Sequence, residues 1–275
     1  MSDVAKICAL FGDTLAHPLY AATLNAAFAA AGVKWPYVPF RADTETLSGL
    51  FARLRSDGLA GANFVYPCEE SAAQLCDELS ADADTLSAVD TLRCGPGVVE
   101  GFKLDVYAFS RSLDEFRIKV AVERALVLGA GPVGRSCGLA LERSGAAVTY
   151  AASDLTQSRP GISSQATIIR AGDVRQFLLD REPAVIVDAS AGADVSAFPP
   201  SVIDALPPEA SVLGVNLASP NPLPDAAEAR GFRYFDGLSM FLYKVARAYE
   251  IWTGREAPLD VMRRAAEAEL PRPES

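Results

Sequence analysis

The sequence predicts a two-domain α/β protein, a small α/β unit joined to a doubly wound parallel sheet, and three observations predict it. Short β-rich runs bounded by turn residues alternate with helical stretches, the rhythm of parallel strands joined by crossover helices. The pattern restarts near residue 125, where a glycine-rich turn lies directly between an apolar strand and a helix. With 275 residues, half of them apolar, the chain is long enough to bury two cores of ordinary size.

The elements follow in order. Ile7 to Phe11 reads as a buried strand, Pro18 to Ala31 as a helix with Leu19, Leu24 and Phe28 near helical spacing, and Trp35 to Phe40 as a second strand. Thr44 to Leu54 is helical with Thr44 as N-cap. Ala62 to Tyr66 is a strand stopped by Pro67, and Glu69 to Leu79 is a helix with two acidic residues in its first turn. Ala88 to Phe102, centred on Cys94-Gly95-Pro96-Gly97, reads as a hairpin. After a helix over Val106 to Glu115 come the strand Ala125 to Leu128, the glycine turn and a helix to Ser144. Strands at 147–151, 184–188, 212–215 and 233–235 complete an open parallel sheet. Helices at 238–252, closed by Thr253-Gly254, and 259–270 have no sheet of their own and are expected to pack on the first domain; Arg272 to Ser275 reads as a frayed tail. The expected domains are 1–104 completed by 237–275, and 105–236.

Composition excludes several classes. The formal net charge of -10 repels a phosphate backbone, so nucleic acid is not an expected partner. No apolar run approaches a membrane span and the N-terminus is too short for a secretory signal, which points to a cytoplasmic protein without membrane contact. The cysteines at 8, 68, 76, 94 and 137 show neither CxxC nor Cys/His ligand spacing, so packed reduced thiols are expected and no metal site.

The turn Gly129-Ala130-Gly131-Pro132-Val133-Gly134 has the strand-turn-helix setting that a pyrophosphate site requires. Gly129 permits the tight turn, Gly131 lets the backbone approach the phosphates, Gly134 allows close helix packing, and the helix start offers oriented N–H donors. A dinucleotide is the expected ligand. Asp154 follows Gly134 by 20 residues, where an acidic side chain bonds an adenosine ribose 2′-hydroxyl, and the neighbouring Ser153 offers no cation. NAD is therefore favoured as cofactor, with NADP the alternative through Arg159.

Several segments in order resemble the shikimate dehydrogenase family across nearly the full length: Phe11-Gly12-Asp13-Thr14-Leu15-Ala16-His17, Leu24-Asn25-Ala26-Ala27-Phe28, Gly61 to Pro67, Ala88-Val89-Asp90-Thr91, Gly101 to Asp105, the glycine turn, and Asp236-Gly237-Leu238-Ser239-Met240 leading to Trp252-Thr253-Gly254-Arg255-Glu256-Ala257-Pro258. The resemblance implies a Rossmann-like nucleotide domain set into a substrate domain that the C-terminal helices complete. It adds Ser190 and Met240 to the cofactor-binding positions, and Tyr20, Asn63 and Asp90 to the substrate-binding ones.

The chemical positions depart from the family pattern. Where family members carry Asn-Val-Thr-x-Pro-x-Lys, with the Lys moving a proton to and from the reacting hydroxyl beside an Asp, this chain reads Asn63 to Glu69, with Glu69 at the lysine position. The family's Asn-Thr-Asp is Lys103-Leu104-Asp105, so Asp105 alone is retained. Ser-x-Ser, which holds the shikimate carboxylate, matches Pro18-Leu19-Tyr20. Asp90 replaces an Asn, Lys244 a Gln, Ser239 a Gly, and Ala152-Ser153-Asp154 the NADP-type Asn-Arg-Thr.

Hydride exchange at a C–OH or C–NH carbon needs a proton donor or acceptor within hydrogen-bond reach. Asp105, Lys244, Lys103 and Glu69 are the candidates, with Lys103 expected to pair with Asp105 or Glu69. His17, the sole histidine, reads as a structural hydrogen-bonding residue, and Cys68 is opposed as a nucleophile by Glu69 and Glu70. The expected function is oxidation or reduction of a small polar metabolite other than shikimate, such as an amine or imine, by a monomer or homodimer. Two alternatives stay open: a nucleotide- or metabolite-binding homologue that senses without catalysis, and a non-redox enzyme that retains NAD.

Overall fold

The computed structural model describes residues 6–13, 18–155, 159–190, 200–215, 217 and 223–270. Two compact units divide the chain: residues 1–104 with 241–275, and residues 105–240. His17 and the 272–275 tail lie outside the described residues.

In the first unit the order is β1 (Ile7–Gly12), α1 (Pro18–Ala30), β2 (Tyr37–Arg41), α2 (Leu47–Ser56), β3 (Leu59–Phe64), α3 (Glu69–Ala73), β4 (Glu78–Leu79), α4 (Ala81–Leu86), β5 (Thr91–Cys94) and β6 (Val99–Phe102). They form one mixed sheet, β2-β1-β3-β5-β6-β4. β1 runs parallel to β2 and β3, while β5 is antiparallel to β3 and β6. Alternation along the strands sends Ala9, Phe11, Ala62, Phe64 and Leu92 into one core with Leu47 and Phe51 of α2. Phe11 stacks on Phe64 there at 5.5 Å between ring centroids.

The second unit holds α5 (Leu104–Glu115), whose first residue belongs to the other unit, β7 (Arg124–Leu128), α6 (Pro132–Arg143), β8 (Ala147–Ala152), β9 (Thr167–Arg170), α7 (Val174–Arg181), β10 (Val185–Asp188), α8 (Pro200–Ile203), β11 (Ser211–Gly214), α9 (Leu223–Arg230) and β12 (Arg233–Phe235). Its sheet is wholly parallel, β12-β11-β10-β7-β8-β9. Strand order reverses between β7 and β10, the switch point at which doubly wound sheets take ligands beyond their carboxyl ends.

The chain then returns to the first unit through α10 (Leu238–Thr253), divided between Met240 and Phe241, and α11 (Leu259–Glu269). α11 packs on α1. Trp252 of α10 donates its indole N–H to Leu92 O at 2.8 Å and lies over Gly61, where a Cβ would come within 2.1 Å of the indole nitrogen. Gly254 closes α10 at φ +66, its N–H bonded to Glu250 O. Among the described residues no helix is long and apolar enough to cross a membrane.

Several elements differ from the sequence expectation: β9 and the helices α7, α8 and α9 have no counterpart in it, and four elements of the first unit shift. The helix expected over 69–79 stops at Ala73, because Asp77 exchanges hydrogen bonds with Val99 and leads Glu78–Leu79 onto β6 as an edge strand. Ser80 then caps α4, which the sequence did not announce. α2 begins at Leu47 rather than Thr44, since the Asp43 carboxylate accepts from the N–H groups of Glu45 and Thr46 and holds the preceding turn. β3 ends at Phe64, and Tyr66 stands exposed beyond it.

Candidate functional site

In the first unit, the polar residues near the carboxyl ends of β1 and β3 form a buried network. Asn63 of β3 lies between Leu10 of β1 and Thr91 of β5. Its side-chain amide is engaged at both ends: Oδ1 accepts from the Tyr37 hydroxyl at 2.9 Å, and Nδ2 donates to Thr91 Oγ1 at 2.9 Å and Asp90 O at 3.3 Å. Thr91 in turn donates to Asp90 Oδ1 at 2.8 Å, and the Leu104 N–H reaches the same oxygen at 3.0 Å.

Charge enters this network from two directions. Lys103, the residue after β6, places Nζ 2.6 Å from Glu69 Oε1 and 3.4 Å from Asp90 Oδ2. None of these three side chains is more than 6% exposed. Glu69 comes from the first turn of α3, where the helix dipole favours a carboxylate. Desolvating such ions is costly, and the arrangement holds because each charge meets an opposite one in good geometry. Lys103 thus pairs with Glu69, as the sequence allowed, and with Asp90, which it did not anticipate.

Lys244 and Tyr20, 6% and 8% exposed, form a second group around Tyr37. Burial, then Tyr20 and Cys8, hold the Tyr37 hydroxyl well above the usual tyrosine range, with Lys244 acting in the opposite sense. The Tyr20 ring meets Phe241 edge-on at 5.0 Å. Asp105 is buried in the first turn of α5 and belongs to the second unit. Tyr37 and Thr91 were not singled out by sequence reasoning. Their run lengths marked strands, but no local signal says which hydroxyl meets Asn63. Cys68 is buried, and burial, followed by the nearby Asp43 and Glu69 charges, raises its thiol to about 11. Among the described residues no group of three acidic, histidine or cysteine side chains is arranged to hold a metal.

In the second unit, the glycine turn joins β7 to α6. Gly129 adopts φ +100, and Gly131 is the N-cap of α6 with Pro132 at its first turn. A Cβ on Gly131 would meet nothing within 4 Å, so the backbone there is open to an approaching group. Gly134 is closed in: a Cβ would lie 2.1 Å from Gly129 O. An open second glycine at a helix start, locked by a third, fits a pyrophosphate. Ala130, Pro132 and Val133 are half-buried around it. Ser153 and Asp154 follow directly after β8, Ser190 lies just beyond β10, and Met240 is buried in the first turn of α10. Two features escaped the sequence reading. Gly138 accommodates Tyr150 of β8, whose hydroxyl would lie 1.8 Å from a Cβ, and the buried Arg135 donates to Pro160 O at 2.9 Å in the β8–β9 connection.

Fold and site together define a two-domain α/β protein of the doubly wound, dinucleotide-binding class, with a separate mixed-sheet unit carrying a buried charged cluster. Comparison with known proteins narrows this. Residues 10–92 match the shikimate dehydrogenase substrate binding domain, and residues 237–267 the shikimate 5′-dehydrogenase C-terminal domain. The chain is 30% identical to the shikimate dehydrogenase (NADP(+)) of Methanopyrus kandleri, with 94% of each chain covered. It is 32% identical to that of Moorella thermoacetica, covering 94% of this chain and 91% of the relative. Its fold matches the Thermus thermophilus shikimate 5-dehydrogenase solved with NADP(H) and shikimate, with TM-score 0.80, 25% identity, and 96% and 99% of the two chains covered. The chain belongs to the shikimate dehydrogenase family.

Proposed function

We propose that this chain is a pyridine-nucleotide-dependent oxidoreductase that acts on a small polar metabolite other than shikimate, with a lysine supplied from position 103 in place of the one the family carries at position 69. The observation that carries this reading is the Lys103 Nζ held 2.6 Å from Glu69. Where the family carries Lys and Asn at positions 69 and 103, this chain carries Glu69 and Lys103, so a cation is kept in the cluster while its attachment has moved.

The pyridine nucleotide, when bound, supplies or accepts a hydride at carbon. Gly129, Gly131, Gly134 and the first turn of α6 hold its pyrophosphate; Ser190 and Met240 are further contacts. Asp154 takes an adenosine ribose hydroxyl and disfavours a 2′-phosphate, which supports NAD over the NADP named for the relatives. Lys103 carries the proton. In the reducing direction its ammonium gives one proton to the oxygen or nitrogen whose carbon has gained the hydride, which leaves a neutral amine beside the Glu69 and Asp90 carboxylates; their negative charge favours return of a proton from solvent to Lys103. In the oxidising direction the amine takes that proton back. Asp105 is the second acid/base group, as the resemblance implies. Lys244 and Tyr20 orient the substrate, and Asn63 fixes Asp90 through Thr91.

Two carboxylates beside one lysine, with a phenol where the family has two hydroxyl donors, favour an amine or imine over a cyclohexene carboxylate. The test is a turnover panel of shikimate and small amino- or imino-substituted analogues with NAD and NADP. Preferred analogues are expected to exceed shikimate about 100-fold in kcat/KM, on the scale that one or two misplaced polar contacts impose. Shikimate turnover equal to the best analogue ends the reading.

A further inference from the structure

Asp188 is an acidic group at the carboxyl end of a central strand that the proposed proton transfer does not use. It ends β10, with Leu128 of β7 on one side and Gly214 of β11 on the other, and so sits on the strand at which the order reverses. Ser190 turns back on it, its N–H at 3.1 Å and its hydroxyl at 2.5 Å both donating to Oδ1. The intervening Ala189 packs so tightly under the glycine turn that a Cβ on Gly129 would come 2.7 Å from Ala189 O. The 188–190 segment and the turn therefore form one continuous edge. Burial raises the Asp188 carboxyl, and the two Ser190 donations pull it back. Tyr234 of β12 lies close enough to feel Asp188 and Asp236 as negative neighbours.

A dinucleotide crosses such a sheet at the switch point, with its adenosine half over the first three strands, here β7 to β9, and its other half over β10 to β12. Asp154 stands on the adenosine side and Asp188 on the opposite one. The two redox forms of a pyridine nucleotide differ there by one positive charge, which the nicotinamide ring carries only when oxidised. A fixed carboxylate in a half-buried setting acts on that charge without direct contact, because the effective dielectric is well below that of water.

We propose that Asp188, held in place by Ser190, is a specificity-determining residue that biases the nucleotide site toward the oxidised form of the pyridine nucleotide. The proposal rests on the nucleotide reading given above. It accounts for a charged residue at a strand end beside the glycine turn, where a neutral Asn would accept the same two Ser190 donations.

The test is titration of the full chain with NAD and NADH, and with NADP and NADPH, by calorimetry or ligand fluorescence. Asp188→Asn keeps an Oδ1 acceptor for both Ser190 donors and removes the charge. It is expected to weaken binding of the oxidised form about ten-fold, the scale of one charge acting across several ångströms at intermediate dielectric, with the reduced form changed less than about two-fold. Asp188→Glu, which keeps the charge, is expected to preserve the wild-type ratio within about two-fold, and Asp188→Ser, which also removes the charge, serves if the asparagine variant fails to fold. An equal change in both forms, or none, overturns the assignment while leaving the nucleotide reading in place. Wild-type protein that binds neither form overturns both.

Discussion

Lys103 and Glu69 meet at 2.6 Å from opposite ends of a 34-residue separation, Lys103 from the residue after β6 and Glu69 from the first turn of α3, with Asp90 completing the cluster at 3.4 Å. A buried lysine between two carboxylates has direct energetic consequences. Lys103→Met strands both acids without their counterion and is expected to lower unfolding stability by about 3–5 kcal/mol in urea titration. The exchange Glu69→Lys with Lys103→Glu keeps the charges and should recover at least half of that loss. A Lys103→Met protein as stable as wild type contradicts the ion pair.

Cofactor choice turns on Asp154. Replacing it by Asn removes a negative charge from the expected 2′-position and should improve NADP affinity relative to NAD about ten-fold, read as the ratio of two dissociation constants. A ratio that does not move places Asp154 outside the ribose site.

Gly61 is small because Trp252 lies on it. Gly61→Ala is expected to cost about 1–3 kcal/mol through overpacking and to shift tryptophan emission as the ring is displaced. Its indole N–H would also leave Leu92 O, which adds to the loss. Unchanged stability and emission would mean that the ring does not bear on β3.

The thiols give a pH signature. Burial raises Cys68 and Cys94 to about 11 and Cys76 to about 12, each from 9.0. At pH 8 such thiols are only about one-thousandth (Cys68, Cys94) to one ten-thousandth (Cys76) ionised, so labelling by a disulfide reagent in the folded state is expected to be far slower than in urea. The folded state holds these protons where the unfolded chain releases them. Stability is therefore complete below pH 9 and falls as pH rises from 9 toward 11 and 12. Fast labelling at pH 8 in the folded protein contradicts the burial.

The legible parts of the fold are those written in local patterns. Ala125–Leu128, the glycine turn, Ala147–Ala151 and the hairpin through Gly95-Pro96 fall on observed elements within a residue or so, since apolar runs and turn residues act over short stretches. Glu78–Leu79 reads locally as helix, yet becomes a strand because β6 offers an unfilled edge, a condition absent from residues 69–79 themselves. The site divides in the same way. The residues of the charged cluster stand out as departures from a family pattern, but Tyr37 falls in no matched segment, and Thr91, though inside one, carries no departure that would mark it as a partner of Asn63.

By itself the sequence determined the strand-turn-helix geometry at Gly129 to Gly134, the alternation that builds two sheets, and the identities of the charged residues, because backbone freedom and hydrophobic period are properties of neighbours along the chain. Only the tertiary structure decided that Lys103 answers Glu69 and Asp90 together, that Trp252 covers Gly61, and that Asp188 stands at the strand reversal. Strand order brings these groups together from distant parts of the chain, and burial then strengthens their interactions by excluding the water that would screen them.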